Sequence, residues 1–188
     1  MIIQGNDPYA VPAFGWANKV ARALWGVCYL VFFRISPRPM FAWRRFILRC
    51  FGAKLGKGVA VYPSAKIWAP WNLFCADMVA IANGADIYNP SPIRLGSHAI
   101  VSQDAFLCGA SHDYNNPAFP LYSREISVGA YAWVCARACV MPGVTIHDGA
   151  VLGMAAVATT DLEAWSVYAG SPAKMVKRRN RSLGSVPA

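Results

Sequence analysis

From Val128 to Ala158 an aliphatic residue returns every sixth position: Val128, Val134, Val140, Ile146, Leu152 and Ala158. Four residues after each of the first five comes a second, smaller one: Ala132, Ala138, Val144, Ala150 and Ala156. A helix buries residues at spacings of three and four, and a strand at two. An unbroken six belongs to neither. It is the period of a parallel β-helix, in which each repeat supplies one short strand and one bend. The larger side chain fills the centre of the coil. The small one sits where the chain turns and the interior has little room.

The same register extends upstream. Leu55, Val61 and Ile67 are six apart, with Val59 and Ala65 in the small slots. A two-residue slip across Ala69-Pro70-Trp71-Asn72 precedes Cys75, Ile81 and Ile87, with Val79 and Ala85. A second slip, Asn89-Pro90-Ser91-Pro92, precedes Leu95, Val101 and Leu107, with Ala99, Ala105 and Ser111. At three hexads per triangular coil, residues 55–168 make about five coils stacked roughly 4.8 Å apart. One interruption is larger. Between Leu107 and Val128 the chain has loop chemistry, with asparagines and two prolines but no alternation. A loop at 112–125, expelled from a tight solenoid, is where function concentrates. It carries His112.

Charge divides the chain into the same three parts. Residues 1–58 hold nine basic residues and one acid, residues 59–173 four basic and eight acidic, and residues 174–188 five basic and no acid. The repeat region is mildly acidic, which argues against a nucleic-acid groove along it. Anion binding is expected instead at the two ends. Residues 1–54 form a helical N-terminal segment. The run Ala23 to Phe33 is apolar but shorter than the roughly twenty residues that span a bilayer. Two readings stand. The segment packs on the solenoid end as a cap, or it lies at a membrane interface with Trp25, Tyr29, Phe32 and Phe33 in the lipid boundary and arginines on headgroups. After Ser36-Pro37-Arg38-Pro39, Met40 to Phe51 reads as a second, basic helix ending at Gly52. Residues 169–188 read as a basic tail. The six cysteines form no C-x-x-C pair, so structural zinc has little support, and Cys75 takes an inward slot as a small hydrophobe. Free thiols without a visible export signal point to the cytoplasm, or to the inner face of its membrane if the N-terminal segment binds lipid.

The hexads, the loop "GASHDY", the stretch "AWVCARACVMPGVTIHDGAVLG" and the C-terminal "VYAGSPAKMVKRR" together resemble the hexapeptide-repeat O-acetyltransferases. Within them the chain is most similar to the branch of colanic acid and exopolysaccharide synthesis, and more distantly to the maltose and galactoside acetyltransferases. The resemblance covers residues 52–179. It implies an all-β, left-handed parallel β-helix, a homotrimer, acetyl-CoA as cosubstrate, no metal, and an active site between adjacent subunits. It also implies a sugar or glycan-precursor acceptor. A lipid-linked acceptor would give the basic N-terminus a purpose.

The resemblance carries roles onto particular residues. His112, following Ser111 in the small slot, is the expected general base. A hydroxyl with a pKa far above 7 is a poor nucleophile toward a thioester, and a neutral imidazole can take its proton. Asp86 and Asn89, one coil earlier, are expected acceptor-binding residues, as is Asp113, with ordinary turn roles as the alternative for all three. Trp133, Ala136, Met154 and Thr159 match positions lining the coenzyme channel. Thr160 stands where relatives often carry lysine. Lys174 and Lys177 match the basic pair at the nucleotide end, and Arg178, Arg179 and Arg181 read equally as solvated charge. His98 and His147 read as outward turn residues. Two other classes remain in view. One is a non-catalytic trimeric scaffold. The other is a γ-carbonic-anhydrase-like metalloenzyme, which needs three converging histidines from a chain holding only His98, His112 and His147.

Overall fold

The computed structural model describes residues 12–180. Helix α1 (Trp16–Cys28) runs on through a wider π-type turn, Tyr29–Phe33, and helix α2 (Phe41–Cys50) leads into the solenoid at Lys54. Three parallel sheets form the faces of a triangular prism. The first stacks Lys54–Leu55, Leu73–Cys75, Ile93–Leu95, Ile126–Val128 and Thr145–Ile146. The second runs from Ala60–Val61 to Ser166–Ala169, and the third from Lys66–Ile67 to Val157–Ala158. Five full coils result. Leu162, bridged to Ile146, and the strand Ser166–Ala169 begin a sixth.

The hexads are the interior. Val61, Ile81, Val101, Val134 and Leu152 stack in register up the second face and are fully buried. The small slots are filled by Val59, Val79, Ala99, Ala132 and Ala150, all with little or no exposure. Cys75 is buried in its inward slot, and burial pushes its thiol up to about 12. The residue just before a small slot commonly takes the left-handed conformation: Met78, His98, Asp104, Tyr131, Arg137 and Ala155 have φ of 54–60°. Such backbone costs a non-glycine residue about 1–2 kcal/mol. Stacking at the corners overrides that cost, and stacked residues include His98 on Tyr131, with parallel rings 4.7 Å apart.

Neighbouring coils exchange backbone hydrogen bonds both ways: at the corners the Met78 and His98 N–H groups donate back to the Lys57 and Asp77 carbonyls, while in the strands other groups donate forward. The Ala60 N–H donates to the Val79 carbonyl of the next coil, Ala80 to Ala99, Ile100 to Ala132 and Trp133 to Ala150. The carbonyls of the first coil equivalent to these acceptors, such as Val59 and Val61, have no coil beneath them to donate. The N-terminal segment supplies the donors. Arg44 Nε donates to the Val61 carbonyl at 2.6 Å, Arg45 to Val59 at 2.8 Å, Arg49 to Leu55 at 2.8 Å, and Trp25 Nε1 to Ile67 at 2.6 Å. A guanidinium is donor-only and forked, which suits a row of acceptors. Arg44 is fully buried, and its other nitrogens donate to Ser36 Oγ and to the carbonyls of Pro37 and Arg38.

These contacts change the reading of the N-terminal charge and aromatics. Arg44, Arg45 and Arg49 are bound to backbone carbonyls rather than displayed for headgroups. Trp25 and Phe33, expected in a lipid boundary, are buried against the solenoid, and Tyr29 packs beside them. Of the four named aromatics only Phe32 is exposed. At the far end, the residues read as a tail form a strand. The chain turns at Gly170 (φ 91°), and Lys174–Arg178 pairs antiparallel with Ser166–Ala169 at the edge of the second sheet. Residues 181–188, including Arg181, lie outside the described residues, as do residues 1–11.

Removing Arg44 leaves several buried carbonyls without donors. Arg44→Ala is expected to destabilise the fold by about 3 kcal/mol, since charged hydrogen bonds are lost and buried acceptors orphaned. Arg44→Lys should recover only part, because one ammonium cannot reach the same fork of carbonyls. Urea denaturation followed by circular dichroism measures both.

Candidate active site

The insertions that break the hexad register all fall at one corner, where the third sheet returns to the first. The lower two build a ledge. Asn89, fully buried, accepts from the Ala69 N–H at 2.9 Å and donates to the Ala69 carbonyl at 2.7 Å. Asn72 Nδ2 donates to the carbonyls of Asn89 and Pro90. The expected acceptor-binding role of Asn89 is therefore corrected. Its amide is sealed in the protein, holding one coil's insertion to the next. On this ledge sits the largest insertion, whose edge is tied down by a hydrogen bond between Ser91 and Ser123 and by the Ile126 N–H to the Pro92 carbonyl.

That insertion is a hairpin, not an irregular loop. Ala110–His112 pairs antiparallel with Leu121–Ser123, so Ser111 lies on the hairpin rather than in an inward slot. The chain leaves the solenoid at Gly109, where a Cβ would stand 2.6 Å from the Tyr88 carbonyl, and only glycine fits. His112 ends the outgoing strand, exposed to solvent. Its Nδ1 lies 2.6 Å from the Phe119 carbonyl oxygen. A carbonyl only accepts, so Nδ1 carries the proton and the lone pair of the neutral ring is on Nε2. Phe119 presents that carbonyl from a left-handed turn (φ 45°), closed by its own N–H onto the Asn116 carbonyl.

An open pocket of about 590 Å³ adjoins the histidine, lined by His112, Asp113, Tyr114, Tyr122, Arg124 and neighbouring hairpin residues. Asp113, one of the residues lining this pocket, accepts the Asn115 N–H on Oδ1 at 3.0 Å, a turn bond. Phe119, Tyr122 and Arg124 were not legible as site residues. The hairpin pairing that brings them beside His112 has no sequence period to announce it.

The remaining expected residues lie elsewhere. Asp86 is on the third sheet, 3.7 Å from Lys66 Nζ, in a separate groove of about 350 Å³ against α1. Burial raises its pKa, and Lys66 opposes that shift. Trp133 projects from the second sheet, its Nε1 donating to Ser102 Oγ at 2.8 Å. Ala136 and Met154 follow at the corner into the third sheet, and Thr159 lies beyond its last strand. Lys174 and Lys177 stand exposed on the C-terminal strand, without an ion pair to any described residue. Arg178, by contrast, is paired with Glu163 at 2.7 Å, and Arg179 donates to the carbonyls of Tyr131 and Gly149. None of the coenzyme-side residues lines the His112 pocket of the same chain. His98 and His147 sit at the corner between the first and second sheets, away from the hairpin, so the three histidines do not converge. Among the described residues no cluster of histidine, cysteine or acidic side chains suits a metal ion.

The relatives of this triangular parallel solenoid show its class, that of the β-helix acyltransferases. No family model matches the chain. It is 36% identical over 178 residues to the protein named "Putative colanic acid biosynthesis acetyltransferase WcaF" of Escherichia coli K12, covering 94% of this chain and 98% of that one. The maltose O-acetyltransferase of Clostridium difficile 630 shares the fold with a TM-score of 0.80 at 20% identity, over 88% of this chain and 90% of that one. So does the hexapeptide-repeat acetyltransferase VCA0836 of Vibrio cholerae, solved with acetyl-CoA, at 0.78 and 19% over 86% and 88%. The chain belongs to the hexapeptide-repeat acetyltransferases, beside WcaF, and its solenoid is the left-handed β-helix of that family.

The tautomer is directly measurable. In long-range ¹H–¹⁵N spectra of the neutral protein, Nε2 of His112 should report as the unprotonated nitrogen. A ring protonated on Nε2 instead would show that the Phe119 carbonyl does not set it.

Proposed function

We propose that the protein transfers the acetyl group of acetyl-CoA to a hydroxyl of a sugar in an exopolysaccharide or other glycan precursor, with His112 as general base. One observation carries the reading: the Phe119 carbonyl holds the proton on Nδ1, so Nε2 is a ready acceptor beside an open pocket. In the proposed step Nε2 takes the hydroxyl proton as the hydroxyl oxygen attacks the thioester carbonyl. Collapse breaks the C–S bond, and the proton on Nε2 passes to the departing sulfur, giving an acetyl ester and the free thiol. The name of the WcaF relative supports the glycan context, and the VCA0836 complex supports the donor. Acetyl-CoA as donor puts the reaction on the cytoplasmic side.

In this reading the coenzyme-side residues act from a neighbouring copy of a homotrimer. Trp133, Ala136, Met154, Thr159, Lys174 and Lys177 do not line the pocket of their own hairpin, so in this reading a complete site combines one copy's donor wall with another's His112. The two unpaired lysines suit the phosphates of the coenzyme. On the acceptor side Asp113, Tyr122 and Arg124 offer polar contacts within the His112 pocket, whereas Asp86 reaches the sugar only if the acceptor extends to the groove against α1.

His112→Ala should lower transfer by about 10² or more while leaving the acetyl-CoA-induced rise in melting temperature intact. An unchanged rate would remove the histidine from the mechanism. Lys174→Glu/Lys177→Glu should raise KM for acetyl-CoA by about tenfold or more with a smaller change in kcat, because phosphate binding is far from the reacting carbonyl. Co-expressing the two variants tests the shared site. At acetyl-CoA well below the lysine variant's KM, mixed trimers should be more active than either variant alone, since some sites then pair an intact histidine with intact lysines; no gain would mean that each chain builds its own site.

A further inference from the structure

Helix α1 is amphipathic in an inverted sense. Its aromatic side faces the solenoid, where Trp25 and Phe33 are buried and the Arg22 guanidinium lies over the Trp68 ring at 4.5 Å. The opposite side is an aliphatic row. Trp16, Val20, Leu24, Val27, Leu30 and Val31 fall on one helical face and are 40–79% exposed. The row continues onto α2 through Trp43, whose Nε1 donates to the Phe32 carbonyl at 2.9 Å, and through Phe46, stacked on Trp43. Nothing among the described residues covers this surface. A contiguous apolar patch of that extent on a folded domain marks an interaction site.

The charge around the patch selects the occupant. From residue 12 to residue 76 the chain has no acidic residue. Lys19 and Arg34, on the same helical run, are exposed. A second copy would bring an identical apolar row with identical basic residues, setting like charges together. An anionic bilayer surface answers both parts: acyl chains for the row and phosphates for the basic residues. The lysine and arginine stems are long enough to reach headgroups while their helix lies lower. No helix among the described residues is long and apolar enough to cross a membrane. From Trp16 to Phe33 the helical run is about 27 Å long, suited to lying in the interfacial plane.

We infer that the outer face of α1, with Trp43 and Phe46, seats the protein on an anionic lipid surface. The inference differs from the sequence-based anchor in its residues: Trp25 and Phe33 hold α1 to the solenoid, and the aliphatic row does the docking. It is independent of the transfer chemistry, although a membrane seat would suit a lipid-linked acceptor.

The test is co-sedimentation of the full chain with vesicles of phosphatidylglycerol and phosphatidylcholine, against phosphatidylcholine alone. Wild type should pellet with the anionic vesicles, and added salt should weaken binding. Leu24→Glu/Val27→Glu, which changes only outward positions, should lower the bound fraction by about tenfold or more, with assembly mass and the acetyl-CoA melting shift unchanged. Lys19→Gln/Arg34→Gln should weaken binding to anionic vesicles with the row intact. Three results would overturn the inference: wild type remaining in the supernatant, the double glutamate variant binding like wild type, or that variant losing assembly mass instead of lipid binding, which would make the face a contact between copies. Equal binding to neutral vesicles would overturn the commitment to an anionic surface. His112→Ala should bind like wild type, so failure here and failure of the catalytic reading remain distinguishable.

Discussion

A stack of parallel coils has open ends that its core does not. Inside the stack each coil bonds to the coils on both sides, so the carbonyls of the first coil that face away from the stack, those of Leu55, Val59, Val61 and Ile67, find no donor in it. Unpaired buried carbonyls are expensive, and a solenoid cannot satisfy its own end. Here Arg44, Arg45, Arg49 and Trp25 complete the first coil. The N-terminal helices are thereby bound to the β-helix through its backbone, and the whole arrangement of α1 follows. With its aromatic side committed inward, its aliphatic side has nowhere to face but out.

The same stacking positions His112, the base in the proposed reaction. Extra residues are tolerated at one corner because the insertions there lie on each other. Asn89 grips Ala69, Asn72 grips Asn89 and Pro90, and Ser91 grips Ser123. A hairpin growing from such a ledge is held along one edge, which is what a side chain needs if its geometry is to be maintained away from the core. The final adjustment is local. One left-handed residue, Phe119, turns its carbonyl onto Nδ1 of His112 and so decides which nitrogen can act.

The donor side shows the opposite economy. Trp133 and the two lysines lie on the second sheet and its added edge strand, and the single chain leaves them away from the hairpin. Rigid prisms cannot fold their faces toward each other, so residues on different faces meet only across copies. That is the physical ground for the proposal that the site is shared between copies.

The six-residue period alone was sufficient to determine the solenoid and nearly all its inward residues, but it carried the register on to Ser111, whereas the chain leaves the solenoid at Gly109 and Ser111 lies on the hairpin. Size at fixed spacing is a local property, and a coil interior admits few alternatives. Partners one coil apart stand about twenty residues apart in the chain, and nothing local records which of them bond. Asn89 therefore looked like a sugar ligand, and the arginines of α2 looked like free charge. Residues 174–178 looked like a tail because a single edge strand has no repeat to reveal it. The left-handed corners were equally silent, since His98, Tyr131 and Arg137 give no sign of conformations that glycine would announce. Only the stacked structure decided these matters, because hydrogen-bond direction and register exist between coils and not within them.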